Sequence, residues 1–260
     1  MKSSGLLHTS VPQYWRTAGD LDLAVTTSGD VPAMDVTRAV RAIGRVLRRH
    51  HLDAATRVRV TAPADADQAT VVQANIRCQG IATRVQVTGP GGFAVTFAAE
   101  RLDRQLARMT TTQPRDWPDP ARPPLAAVTE PRPIVRRKRY VLMKCSADEA
   151  TAVMDAMDYD AYLFVDEESG VDTVVYRGDP LGARRAAHHA AVSLLAPPRA
   201  VTALPHLVDS ASAPVLDDDK AAIMLCDNGL PFVFYTDPES GRGRLLYRRY
   251  DGDLTLVTPR

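Results

Sequence analysis

Lysine and cysteine are scarce in this 260-residue sequence. Only four of its 32 basic residues are lysines, and all the others are arginines. The three cysteines, Cys78, Cys145 and Cys226, lie far apart and form no Cys-x-x-Cys motif. This spacing disfavours a disulfide framework or a zinc site, and we interpret the cysteines as small buried apolar residues. We therefore expect neither a metal ion nor a cofactor.

Long apolar runs are also missing. The first 20 residues carry a single lysine and no sustained apolar stretch, which predicts neither a signal peptide nor a membrane anchor. Nothing further along approaches the length of a membrane-spanning segment, and we expect a cytoplasmic protein. Hydrophobic residues make up 45% and charged residues 24% of the chain, which is ordinary for a globular protein. The length predicts two or three small domains.

One stretch of the sequence occurs twice. YLFVDEESGVDTVVYRGD (162–179) aligns without a gap with VFYTDPESGRGRLLYRRY (233–250), at an offset of 71 residues that places Asp166 over Asp237. A repeat at a fixed spacing indicates that the chain contains copies of one structural unit. Two copies predict a duplicated module, since a solenoid needs about three or more repeats.

A proline-rich segment separates the repeats from the rest of the chain. Residues 110–133 hold seven prolines and show no helical or strand periodicity, which predicts an extended linker. It divides an N-terminal domain (18–109) from a first C-terminal module (134–195) and a second (204–260).

The N-terminal domain is predicted to follow the order β-α-β-β-β-α. Asp35 is the expected cap of the first helix, and the glycine-rich turn 89–92 precedes the second. The strands alternate apolar and polar residues, so they have one apolar face. Both helices must cover that face, which leaves a four-stranded sheet open on its other side. The predicted strands are residues 21–25, 56–62, 70–78 and 81–89.

Each repeat predicts the order β-α-β-β-β, with Ser146 as the helix cap in the first. Asp, Ser and Gly in the segments 166–170 and 237–241 supply the chemistry of hairpin turns. Residues 181–195 fit either a closing strand or an inserted helix. The fold class is therefore predicted as α+β, with two tandem modules after the linker.

The first predicted helix carries a second stripe, opposite its apolar one. Arginines recur there at spacings of three and four, and no acid lies between Val36 and His51. Such a row of like charges repels itself, so a solvated helix face usually mixes signs. We predict a polyanion-binding surface, with a solvated face as the alternative. The predicted RNA-binding residues are Arg38, Arg41, Arg45, Arg48 and Arg49 on this helix, Arg101, Arg104 and Arg108 on the second, and Arg57, Arg59 and Arg84 on the strands.

The sequence predicts no exposed aromatic residues interleaved with these arginines. This favours recognition of folded RNA by shape and phosphate over stacking on single strands. The acids of the two hairpin turns are solvated turn residues, and they lack the burial that a general acid needs. His188 and His189 have no third ligand at metal spacing. We predict no enzymatic activity.

The residues 134–179 closely resemble the C-terminal domain of long-form ribosome hibernation promoting factors. A basic strand, a helix, an aromatic strand, a turn and a VVYR strand follow in the same order. The N-terminal domain looks like the ribosome-binding domain of that family. The second module, 204–260, departs from ordinary long forms, and the tandem arrangement is similar to hypoxia- or dormancy-linked factors of actinobacteria.

The resemblance implies a stress-response protein that binds small-subunit rRNA where mRNA and tRNAs lie, inhibits translation and stores idle ribosomes. In that family the C-terminal domain pairs with its twin on a second ribosome. Here the two fused modules are expected to form an intramolecular pseudo-dimer, which leaves a monomer that silences single ribosomes. A generic double-stranded RNA-binding adaptor and an RNA-directed nuclease remain alternatives. The residues expected to pair the modules are Tyr162, Phe164 and Tyr176 in the first and Val233, Tyr235 and Tyr247 in the second.

Overall fold

The structure, a computed structural model, confirms a mixed α+β fold. It has two compact units: residues 1–113 together with 156–158 form the first, and residues 114–155 with 159–260 form the second. Both sequence repeats therefore fall within the second unit, except for residues 156–158 of the first repeat. Most of the proline-rich linker lies outside the described residues, so its extended character stays a prediction. The structure describes residues 13–16, 21–63, 69–78, 80–111, 130–177, 191–194, 206–209, 213–249 and 252–260.

The first unit contains one five-stranded sheet, in which each strand neighbours the next along the chain. Strands β2 and β3 are parallel, and the other neighbours are antiparallel. The prediction of four strands was wrong, because β1 adds an edge strand of only four residues. So short a strand shows no clear alternation of apolar and polar residues. The strands are β1 (Gln13–Arg16), β2 (Leu23–Ser28), β3 (Thr56–Thr61), β4 (Thr70–Cys78) and β5 (Ile81–Gly89).

Two helices, α1 (Ala33–Arg49) and α2 (Phe93–Thr111), pack on this sheet. Their apolar stripes and the alternate apolar residues of the strands form one core cluster. The helix α1 starts three residues earlier than predicted, with Pro32 at the cap position and no side-chain cap bond. Asp35 therefore lies in the first turn, where its carboxylate accepts a 2.8 Å bond from Arg38.

The second unit contains two sheets and two helices. A five-stranded sheet has the order β11-β10-β9-β8-β7, and a four-stranded sheet has the order β12-β13-β14-β6. Residues 191–194 form strand β10, and the remainder of 181–195 lies outside the described residues. The elements are β6 (Ile134–Tyr140), β7 (Lys144–Cys145), α3 (Ala147–Ala156), β8 (Ala161–Asp166), β9 (Asp172–Arg177), β10 (Ala191–Leu194), β11 (His206–Asp209), α4 (Asp218–Asp227), β12 (Phe232–Thr236), β13 (Gly243–Arg248) and β14 (Leu254–Pro259).

The sequence repeat is also a structural repeat. Adding 71 to the bounds of α3 and β9 gives the bounds of α4 and β13. In both hairpin turns the aspartate accepts bonds from the backbone and the hydroxyl of the serine three residues later. The turn glycines, Gly170 and Gly241, have φ values of +69° and +64°, a conformation that other residues adopt at a cost.

The first strand of each repeat does not join the sheet of its own repeat. Strand β6 of the first repeat pairs in parallel with β14 of the second, and β11 of the second pairs with β10 in the sheet of the first. The predicted modules 134–195 and 204–260 are therefore not independent sheets. An edge strand offers the same backbone donors and acceptors to either sheet, so local sequence does not decide between them.

Side chains hold β6 in the sheet of the second repeat. Arg137 donates to the carboxylate of Asp218, and Lys138 donates to the Tyr247 hydroxyl at 2.7 Å. The same carboxylate accepts from the Tyr235 hydroxyl at 2.7 Å and from Arg244 at 2.6 Å. The position equivalent to Asp218 in the first repeat is Ala147, which offers no charge. Of the two equivalent positions, only the one in the second repeat, against which β6 packs, carries a carboxylate.

Each repeat has its own small core, and a third apolar cluster draws on both. At five positions of the repeat, both copies contribute to the shared cluster or pack against it. A surface patch that meets its own copy is the pattern of a two-fold dimer interface. The five pairs are Leu142 with Ala213, Ala161 with Phe232, Leu163 with Phe234, Val174 with Leu245 and Tyr176 with Tyr247.

This shared cluster differs from the predicted pairing surface. Tyr176 and Tyr247 lie at it, as expected. Phe164 belongs to the first repeat's own core, where Tyr162 also packs, and Val233 and Tyr235 belong to the core of the second. Successive side chains of a strand point to opposite faces, so a choice one residue out of phase selects the wrong face. Leu163, Phe232 and Phe234 lie in the shared cluster, where Tyr162, Phe164, Val233 and Tyr235 were predicted.

Within the part of the chain that the structure describes, no helix has the length and apolar character that crossing a membrane requires.

Candidate RNA-binding surface

The arginines of α1 lie on one exposed face of the helix. Arg38, Arg41, Arg45, Arg48 and Arg49 are all exposed. The opposite face is buried in the core of the first unit through residues that include Ala39, Ile43 and Val46. Positions three and four apart share a helix face, so the burial of one stripe turns the other outwards. We call Arg38, Arg41, Arg45 and Arg48 the arginine row.

The members of this face differ in their partners. Arg38 forms an ion pair with Asp35 at 2.8 Å, and Arg49 forms one with Asp103 of α2 at 2.7 Å. Arg41, Arg45 and Arg48 make no ion pair among the residues that the structure describes. These three guanidinium groups carry charge that no described acid compensates, and they are available to a polyanion.

A surface depression of about 410 Å³ lies along the same face. It is lined by Met34, Thr37, Arg38, Arg41 and Arg45. The guanidinium groups of such a depression can bind a phosphate, and its apolar side chain can contact the planar base of the same nucleotide.

The predicted arginines of α2 behave differently from one another. Arg104 is exposed. Arg101 is only 6% exposed, and its guanidinium forms a 2.7 Å ion pair with Asp158, which clusters with the first unit. Arg108 is half-buried and donates to Gln105. Arg101 is therefore not available to RNA. Its position in the row of α2 arginines, three residues before Arg104, falls on the buried side of the helix.

The predicted strand arginines lie on the other side of the unit. Arg57 and Arg59 alternate with Val58 and Val60, which are buried beneath the helices. Both arginines therefore project from the face of the sheet opposite α1, with Arg57 paired to Asp22 at 3.2 Å. Arg84 on β5 is half-buried. The predicted set thus divides between two faces, and the arginine row forms the larger continuous group.

The sequence interpretation missed exposed apolar residues on the two helices: Met34 lines the depression of the arginine row, and two phenylalanines are exposed on α2. Met34 is 67% exposed, Phe93 68% and Phe97 43%. The exposed phenylalanines lie in the first turns of α2, the helix that also carries Arg104. A helical projection of α2 could have found the two phenylalanines, because they are four residues apart and lie off the buried stripe of Val95.

The acids of the hairpin turns were predicted to be solvated, and this is wrong for Asp237, which is only 3% exposed and pairs with Arg244 at 2.8 Å. Hydrogen bonds from Ser169 and Ser240 lower the pKa of Asp166 and Asp237, although burial opposes this shift in both. A carboxylate with a lowered pKa stays ionised and is a poor general acid at neutral pH. Across the described ranges, no three metal-ligating side chains come together. His188 and His189 lie outside those ranges.

The chain is similar to proteins associated with translational silencing. Residues 129–182 match the family model described as Sigma 54 modulation/S30EA ribosomal protein C terminus. The chain is 41% identical over 246 residues to the dormancy associated translation inhibitor of Mycobacterium tuberculosis, an alignment that covers 92% of this chain and 88% of that protein. It is 32% identical over 123 residues to a ribosome hibernation promotion factor of Deinococcus radiodurans, covering 36% of this chain and 64% of that one.

Among solved structures, the N-terminal domain of Protein Y from Thermus thermophilus matches with a TM-score of 0.27 and 17% identity, covering 34% of this chain and 93% of that one. The mycobacterial relative is aligned over nearly its whole length, and the matched family model falls on the first repeat. The chain therefore belongs to the ribosome hibernation promoting factor family.

Proposed function

We propose that this protein is a ribosome hibernation factor that binds small-subunit rRNA, blocks the mRNA and tRNA sites and stabilises idle ribosomes. Its action is stoichiometric binding in the cytoplasm and involves no catalysis. The observation that carries the proposal is the arginine row, in which Arg41, Arg45 and Arg48 have no acidic partner among the described residues. Folded rRNA presents a dense array of phosphates, which such a row matches.

The second part of the proposal concerns ribosome number. A single C-terminal module would expose the apolar face that contains Leu163, Val174 and Tyr176. In this chain the second repeat covers that face with Phe234, Leu245 and other residues of the shared cluster. A fused partner is present at roughly millimolar effective concentration, so it outcompetes a module on another ribosome. The protein therefore silences single ribosomes and is a monomer in solution.

Sedimentation with purified ribosomes tests the proposal. We expect the full-length protein to co-sediment with ribosomes at a stoichiometry of one, to enrich the single-ribosome peak and to inhibit translation in a cell-free system. A protein that stays at the top of the gradient at physiological salt would contradict ribosome binding. Cleavage of free RNA would favour the nuclease alternative, and equal binding to any duplex would favour the general RNA-binding adaptor.

A further inference from the structure

We use the name aromatic patch for three exposed apolar residues of the first unit: Met34, which lines the depression together with Arg38 and Arg41, and Phe93 and Phe97 in the first turns of α2. An exposed aromatic ring next to a charged surface is a candidate for contact with a binding partner. Phe93 and Phe97 are on the same side of α2, four residues apart. The predicted phosphate contacts do not use them.

Two close approaches place the turn of residues 89–92 against both Arg38 and Phe97. A Cβ atom at Gly92 would lie 1.7 Å from Nη1 of Arg38 and 2.3 Å from Oδ1 of Asp35. The ion pair of these two residues therefore rests against the backbone that immediately precedes Phe93. A Cβ atom at Gly89 would lie 2.9 Å from Cδ2 of Phe97, so this ring covers the start of the same turn.

Arginines and aromatic rings on one surface suit unpaired RNA. The guanidinium groups attract phosphates, and an exposed ring offers a face on which any base can stack. The depression lined by Met34, Arg38 and Arg41 lies within this surface. An apolar protein partner would not neutralise the charge of the unpaired arginines in the row, whereas the phosphates of RNA would. The charge of this surface therefore favours RNA as the occupant.

We propose that the aromatic patch is a stacking platform for one or two unpaired nucleobases of RNA, whose flanking phosphates bind Arg38 and Arg41. This proposal deepens the proposed function, because it adds single-stranded RNA to what the same surface recognises. It predicts two separable contributions to binding. Stacking depends little on salt, whereas the phosphate contacts weaken as salt rises.

The test measures binding of the full-length protein to a single-stranded RNA of about ten nucleotides that carries the fluorescent base 2-aminopurine, within the range of known single-strand sites. A duplex of equal length is the comparison. We expect Phe93→Leu to weaken single-strand binding about five- to fiftyfold, because leucine keeps the apolar volume but loses the π face. The slope of affinity against salt and the duplex affinity stay unchanged.

Matched variants complete the design. Phe93→Tyr keeps the ring and should bind within about twofold of the parent protein. Ile81→Ala removes another exposed apolar side chain, at the far end of β5, roughly 27 Å from Gly89 along the strand, and should have no effect. Thermal unfolding of all variants checks that the exposed substitutions leave the fold intact.

Equal single-strand affinity of the parent and Phe93→Leu proteins would overturn the stacking platform. So would a Phe93→Leu protein that binds the oligonucleotide normally but loses ribosomes, since the patch would then contact a ribosomal protein. Failure of the parent protein to co-sediment with ribosomes would instead refute the proposed function, and the oligonucleotide result would still decide the platform.

Discussion

The backbone N–H of Gly243 donates a 2.8 Å hydrogen bond to the carboxylate of Asp172, although the two residues occupy the same position in the two repeats. Arg242 holds the same carboxylate through two further bonds of 2.8 and 3.1 Å. Equivalent positions meet in this way only near a two-fold axis. The repeats thus face each other around this point, and the shared apolar cluster lies on the same faces of their strands.

Adding a methyl group at this contact should destabilise the second unit. A Cβ atom at Gly243 would lie 2.7 Å from Phe234 and 2.8 Å from the Cβ of Asp172. We expect Gly243→Ala to lower the free energy of unfolding by about 1–3 kcal/mol through overpacking. Asp172→Asn keeps the shape and should cost about 1 kcal/mol. Urea unfolding measures both, and an unchanged midpoint for Gly243→Ala would refute the close approach.

Neutralising the arginine row should weaken ribosome binding and its dependence on salt. We expect the triple change of Arg41, Arg45 and Arg48 to Gln to reduce the slope of log affinity against log salt by about two to three units, because each phosphate contact contributes somewhat less than one. Gln and Arg have similar helix propensities, so the helical content should not change. Filter binding or sedimentation at several salt concentrations provides the measurement.

The strand arginines supply the matched control for this experiment. The triple change of Arg57, Arg59 and Arg77 to Gln removes the same charge from exposed positions of the strands. It should leave most of the salt slope in place. If the two triple variants lose affinity equally, net charge and not the row on α1 governs binding.

Removing the second repeat should produce self-association. Deletion of 204–260 uncovers Leu163, Val174 and Tyr176 and also leaves β6 without β14. We expect light scattering to detect a monomer for the full-length protein and dimers or larger species for the truncated one. In gradients, the full-length protein should give a single-ribosome peak without a two-ribosome peak. Efficient pairing of ribosomes by the full-length protein would disprove the covering role of the second repeat.

The Asp218 carboxylate should make the stability of the second unit dependent on pH. Burial opposes its ionisation, but hydrogen bonds from Tyr235, Arg137 and Arg244 outweigh this and lower its pKa. A lowered pKa in the folded state contributes stability above the ordinary value of about 3.9, and this stability is lost as pH falls through the folded pKa. We expect Asp218→Asn to cost about 1–3 kcal/mol at pH 7.

The pH profile separates this charge effect from a packing defect. The difference between the parent protein and Asp218→Asn should shrink steadily below about pH 4, because the parent carboxylate becomes protonated as well. Asp219→Asn alters an exposed neighbour in the same helix turn and should have little effect at any pH. A difference that persists unchanged at pH 3 would show that the charge of Asp218 is not what stabilises the unit.

The order of elements followed from the sequence because its signals are local. Helical spacing placed the arginine row opposite the buried stripe of α1, and alternation located β3, β4 and β5 within about one residue. The offset of 71 residues predicted two copies of one helix and hairpin, and α3 and α4 occupy equivalent positions. The helical and strand periods depend on residues within a few positions of one another, and the repeat is visible because the same local pattern is written twice.

The tertiary structure alone decided which distant segments meet. Strand β6 joins the sheet of the second repeat, where Arg137 finds Asp218, 81 residues further along the chain. Similarly, the turn at Gly92 packs against Arg38 and Asp35 of α1, which lie more than 50 positions earlier in the chain. Periodicity reports which side of an element is buried, but not what buries it. The partner is chosen by charges and volumes that come together only after the chain has folded.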